Sequence, residues 1–118
     1  MDSRKRRLLE LKRDFLADAV GESRELVRLL EQSPVEHDGD VEGSHCRKLA
    51  HNLRGAGGCY GFPRVTECAG EIEEGLLAGR TSAELLPLVN ELHVMLEDAR
   101  DEFERQIAGD AVGEEQPA

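Results

Sequence analysis

The chain has no tryptophan, and three phenylalanines and one tyrosine make aromatic residues only 3% of its 118 positions. A core without large rings must come from Leu, Val, Ile and Ala, which suits packed helices better than sheets. No apolar run approaches the roughly 20 residues of a membrane span. The basic start, residues 1–7, is not followed by a continuous apolar segment, so the pattern of a signal peptide is missing. Cysteine is scarce and odd in number: Cys46, Cys59 and Cys68, with no C-x-x-C spacing. These read as small buried hydrophobes rather than a disulfide framework. A metal site joining Cys46 to His45, Cys59 or Cys68 is disfavoured, because adjacent helical residues such as His45 and Cys46 point about 100° apart. Positive charge is in deficit as well, with 15 Lys and Arg against 25 Asp and Glu and a net charge of −10. Such a surface repels nucleic acid and anionic membrane, and favours a soluble monomer. The one basic cluster, Arg4, Lys5, Arg6 and Arg7, reads as a solvated helix start.

What is present is helical periodicity. Residues 4–32 place Leu8, Leu11, Phe15, Ala19, Leu26 and Leu30 on one stripe, widened by Leu16, Val20 and Val27. Gly21 interrupts it and Ser23 occupies a stripe position. One kinked helix and two shorter ones, the first a separate short N-terminal helix, are equally open. Residues 33–43 hold Pro34, Asp38, Gly39, Asp40 and Gly43 and form a loop. A second helix begins between Asp40 and Ser44 and runs to about Tyr60, with Cys46, Leu49, Leu53, Ala56 and Tyr60 inward. Gly61 stops it. Pro63 opens a third helix, with Val65, Cys68, Ala69, Ile72 and Leu76 on one face and Gly79 at its end. Thr81 and Glu84 have the spacing of a capping box. The last helix turns Leu85, Val89, Leu92, Leu96, Ala99 and Phe103 inward. Pro87 is tolerated there only if the helical bonds start after it. Residues 109–118 carry Gly, Pro and Glu without apolar period and read as a disordered acidic tail. The short connections force neighbours to be antiparallel, which predicts an all-α, up-and-down four-helix bundle over residues 1–108.

The second helix carries the chemistry. Opposite its apolar side run Arg47, His51, Arg54, Gly55 and Gly58, three or four apart. An exposed imidazole is mostly neutral above about pH 7 and offers a nitrogen lone pair to an electrophile. Arg54 at i+3, Arg47 at i−4 and Lys48 at i−3 make a positive stripe, and arginine grips phosphate oxygens in pairs. Gly55 and Gly58 cost helix stability, which points to something that must approach the backbone closely. Gly57 lies nearer the apolar side and suits helix packing. His51 is therefore equipped to take and give up a phosphoryl group. His37 lies in the loop, His45 near a helix start, and His93 beside the inward stripe of the last helix.

The string HNLRGAGGCYG, with the acidic Glu71-Ile72-Glu73 behind it, resembles the histidine-containing phosphotransfer (HPt) domain. That family shows His, then Leu at +2, Lys or Arg at +3, Gly at +4 and Gly at +10, here His51, Leu53, Arg54, Gly55 and Gly61. Arg54 stands where Lys is commoner, and Gly57 and Gly58 loosen the helix end. The resemblance implies a cytoplasmic phosphocarrier of a bacterial-type multistep phosphorelay, not itself an enzyme. Its partners would be receiver domains of response regulators or a hybrid histidine kinase. The chain would need no cofactor, since the partner receiver brings Mg²⁺. A start at Met1 and a polar end favour a stand-alone protein. Two other readings remain on the sequence alone. One is a helical adaptor or kinase inhibitor using the same surface without carrying phosphate. The other is an enzyme or metal protein in a bundle core, for which Glu91 and His93, two apart, make a poor pair.

Overall fold

The computed structural model describes residues 2–32 and 41–115. Four helices, α1 (Ser3–Gln32), α2 (Val41–Tyr60), α3 (Pro63–Leu77) and α4 (Ser82–Glu115), account for the fold, with no strand among the described residues. α1 packs on α2 and α4, and α3 packs on the same two, so the helices close a square. Two residues join α2 to α3 and four join α3 to α4, lengths that allow only antiparallel neighbours. The chain is thus a four-helix bundle. Of the 33–43 connection, residues 33–40 lie outside the described residues and 41–43 already belong to α2.

α1 is one helix. Gly21 sits on its outer face with no atom within 4 Å of where a Cβ would be. It costs about 1 kcal/mol against Ala. The buried Leu16, Ala19 and Val20 before it, and Leu26 and Leu30 after it, outweigh that cost. No separate N-terminal helix forms. Ser23 is fully buried in the stripe, and its hydroxyl lies 2.9 Å from the Val20 carbonyl and 2.7 Å from His93 Nδ1. His93 also meets Glu97 at 3.1 Å, so this histidine is a structural link between α1 and α4.

Two glycines end helices by adopting a left-handed backbone that a side chain disfavours: Gly61 (φ 81°) after α2 and Gly79 (φ 77°) after α3. In each case the next amide turns back to the helix, Phe62 to the Gly57 carbonyl at 2.7 Å and Arg80 to the Gly75 carbonyl at 2.9 Å. Pro63 begins α3 as expected. The Thr81 hydroxyl accepts from the Glu84 amide at 3.2 Å, but the Glu84 carboxylate takes the Thr81 hydroxyl proton at 3.1 Å instead of an amide. α4 starts at Ser82, ahead of Pro87 rather than after it. Pro87 and Ala83 are both exposed, so the carbonyl that loses its helical bond lies on the solvent side, where its cost is smallest.

The core is Leu, Val, Ile and Ala with Cys46 and Cys68. All four aromatic residues gather at one end: Phe15 stacks on Tyr60 at 4.6 Å and on Phe62 at 5.8 Å, and Phe62 meets Phe103 edge-on at 5.8 Å. Leu8 and Leu11 are 51% and 43% exposed, although the stripe placed them inward. α2 and α3 have only 20 and 15 residues against 30 and 34 for α1 and α4, so they leave the first turns of α1 uncovered. α4 keeps helical backbone to Glu115, past Gly109 where the tail was expected. Extending an existing helix needs no new nucleus, so further residues join at little cost.

Candidate functional site

The α2 face away from the core is where the apolar spacing puts it. Cys46, Ala50 and Leu53 are buried, while His51, Arg54, Gly55 and Gly58 are exposed. The His51 side chain is 70% accessible. No atom lies within 4 Å of a Cβ built on Gly55, and one on Gly58 meets only Thr66 Oγ1 at 3.7 Å. Gly57 is different. A Cβ there would stand 2.8 Å from Thr66 Oγ1 and 3.1 Å from both Thr66 N and Val65 Cγ1. Gly57 is where α2 and α3 touch, and the Thr66 hydroxyl donates to the Arg54 carbonyl at 3.0 Å beside it.

The residue that sequence reasoning gave no role is Glu73. Its carboxylate, 11% exposed, lies between two α2 side chains: Oε2 is 2.6 Å from His51 Nδ1, and Oε1 accepts from Arg54 Nη1 at 3.0 Å. Burial pushes this carboxyl toward neutrality, but the hydrogen bonds from Arg54 and His51 outweigh it and hold it below its ordinary value of 4.5. Glu73 is therefore ionised at neutral pH and can only accept. It follows that Nδ1 of His51 carries a proton, and that in the neutral ring the lone pair belongs to Nε2. The signal was in the sequence. Ala69, Ile72, Glu73 and Leu76 repeat at i, i+3, i+4 and i+7, so Glu73 fills a core-facing position, and a buried carboxylate requires partners.

The predicted cations divide into two places. Arg54 turns toward α3, with Nε 3.3 Å from where a Cβ of Gly70 would be. Arg47 and Lys48 instead border an open pocket of about 340 Å³ with Ser44, His51 and Glu73. Among the described residues no three His, Cys, Asp or Glu gather to hold a metal ion, and Glu91 is exposed rather than turned into the core with His93. No helix of the described residues is long and apolar enough to cross a membrane.

The arrangement is that of an oriented nucleophile. A carboxylate fixes one ring nitrogen of a mostly exposed imidazole, and cations stand within one turn on either side. No curated protein and no solved structure matches the chain. The family model for the Hpt domain matches residues 10–102, which contain all four helices' core-facing stretches and the whole His51 face. The chain belongs to the Hpt domain family, whose members transfer phosphoryl groups through histidine.

Proposed function

We propose that this chain is a phosphocarrier in a multistep phosphorelay: His51 takes a phosphoryl group from a receiver-domain aspartate, or from a histidine kinase, and gives it to another receiver aspartate. The observation that carries this reading is a largely exposed imidazole whose Nδ1–H is held at 2.6 Å by an ionised carboxylate. In the accepting step the Nε2 lone pair attacks phosphorus and a P–N bond forms. The bond from phosphorus to the aspartate oxygen breaks, and its electron pair returns to that carboxylate. The ring gains positive character as it does so, and Glu73 offsets it through the Nδ1 proton. Delivery runs the same path in reverse. The receiver supplies Mg²⁺ and the acidic pocket that drive transfer.

Arg47, Lys48 and Arg54 make the surroundings positive where the group arrives, on a protein whose net charge is −10. Gly55 and Gly58 leave the main chain beside His51 uncovered, so a receiver can bring its phosphoaspartate to the ring. The test is incubation with a phosphorylated receiver domain and Mg²⁺. Label should appear on the chain with the acid lability and base stability of a P–N bond, and His51→Gln should abolish it. Label that persists in His51→Gln moves the acceptor elsewhere. A His51→Gln protein that keeps full biological activity makes the chain a docking adaptor.

A further inference from the structure

α2 ends at Tyr60, which stacks on Phe15, and the turn into α3 passes Phe62, which meets Phe103. Past that aromatic level α1 and α4 run on without the two shorter helices. The overhangs are residues 3–14 of α1 and 104–115 of α4. They are equal in length, about 18 Å each at about 1.5 Å per residue, and they lengthen a chain that measures 60 × 22 × 19 Å. Leu8 and Leu11 stand on the α1 overhang, about half exposed, and Phe15 continues their stripe. Leu11 also borders the groove that α1 makes with Ala56 and Tyr60. The stripe that α2 covers higher up therefore continues with no α2 to cover it. Two helices side by side leave such a stripe in water, whereas a second pair laid against them encloses it.

Charge decides what that second pair is. Residues 3–14 hold six Lys and Arg against Glu10 and Asp14, a net +4, and residues 104–115 hold Arg105 against Glu104, Asp110, Glu114 and Glu115, a net −3. The overhangs together carry +1, so the rest of the chain carries −11 of the total −10. The charge that would keep two copies apart thus lies on the bodies and not on the overhangs. An anionic membrane would meet a basic α1 overhang but be repelled by the acidic α4 overhang beside it; another copy of the same pair answers both signs. We propose that the overhangs are a dimerisation surface. Two copies meet end to end about a two-fold axis, each basic α1 overhang lies beside the other copy's acidic α4 overhang, and Leu8 and Leu11 of both copies are enclosed in a second four-helix bundle. The acidic bodies then point in opposite directions. His51 lies nine positions before Tyr60, about 14 Å back along α2, so both His51 faces stay open. The association does not depend on the phosphocarrier reading.

Sedimentation equilibrium of the full chain over a range of concentrations tests this. The mass should rise from 13.1 kDa toward twice that value and stop there. The double variant Leu8→Glu, Leu11→Glu should raise the dissociation constant by more than about tenfold, because a dimer would enclose four carboxylates; circular dichroism checks that its helicity is kept. Val94→Glu, which alters a 54% exposed side chain of α4 short of the overhang, should leave the dissociation constant unchanged. Charge reversal tests the pairing without touching an apolar residue. A chain with Arg4→Glu and Arg7→Glu, and another with Glu104→Lys and Asp110→Lys, should each associate more weakly than the parent. Mixed together they should form a heterodimer, since each then offers the sign that the other needs. A parent chain that remains at 13.1 kDa at every concentration overturns the proposal, as does a mass that climbs past two copies. A mixture of the two reversed chains that associates no better than either alone overturns the pairing of α1 with α4. Co-sedimentation of the parent with phosphatidylserine vesicles, lost in the double leucine variant, would give the overhang to a membrane surface and overturn the dimer.

Discussion

Alanine at Gly55 and alanine at Gly57, two positions apart in one helix, should change stability in opposite directions. In a helix interior Gly→Ala is worth about 1 kcal/mol of stabilisation through backbone entropy. At Gly55 nothing stands within 4 Å of the new methyl group, so that gain is kept whole. For a domain of this size it corresponds to a rise in melting temperature of about 4 °C. At Gly57 the methyl group lands 3.1 Å from the amide nitrogen of Thr66 and 2.8 Å from its hydroxyl. The hydroxyl could turn aside only by giving up its bond to the Arg54 carbonyl, and the amide nitrogen is main chain. α2 and α3 must separate, at an overpacking cost of about 1–3 kcal/mol. After the helix gain is subtracted, the net loss is about 0–2 kcal/mol, or a fall of up to roughly 8 °C. Thermal unfolding followed by circular dichroism measures both. Phosphoryl acceptance supplies the second half: Gly55→Ala should be the more stable protein and the slower acceptor, because its methyl group stands beside His51 where a receiver approaches. Melting points that move in the same direction would refute the assignment of one glycine to packing and the other to access.

Acid should loosen the site with a definite sign. Glu73 binds protons less readily folded than unfolded, so its contribution is complete above the ordinary carboxylate value of 4.5 and is lost as pH falls through the lowered folded value. Unfolding free energies of the parent and of Glu73→Gln, measured against pH, should differ at neutral pH and converge below 4.5; curves that stay parallel would deny Glu73 its partners. Thiol chemistry should be equally selective. Cys59 is exposed, Cys46 is buried, and burial pushes the Cys68 thiol up to about 11, aided by Glu91 and Glu71. The native chain should therefore titrate one thiol rapidly with an aromatic disulfide reagent and all three after denaturation. Fast reaction of a second thiol in the native protein would contradict the packing of α2 or α3.

Much of the bundle was legible before any coordinates. The α2 stripe of Cys46, Leu49 and Leu53 implied the opposite placement of His51, because a helix of 3.6 residues per turn cannot bury both. The stops at Gly61 and Gly79 were legible for a similar reason: each position needs a left-handed backbone that glycine adopts most readily. Other features depended on neighbours that periodicity does not name. Leu8 and Leu11 follow the same stripe as Leu26 and Leu30, yet they are exposed because the shorter helices end before reaching them. Gly21 looked able to divide α1, but whether a glycine breaks a helix depends on what is buried either side of it.

The sequence by itself determined the helices, their order and the outward face that bears a histidine among cations, since these follow from local backbone preferences and from the spacing of apolar side chains. It did not determine what His51 is bonded to. Glu73 lies 22 positions further along the chain and on another helix. Only the packing of α3 on α2, close enough at Gly57 to exclude a side chain, brings that carboxylate to Nδ1 and Arg54 to the carboxylate. A hydrogen bond acts over about 3 Å, so which ring nitrogen of His51 holds the bonded proton was decided by tertiary structure.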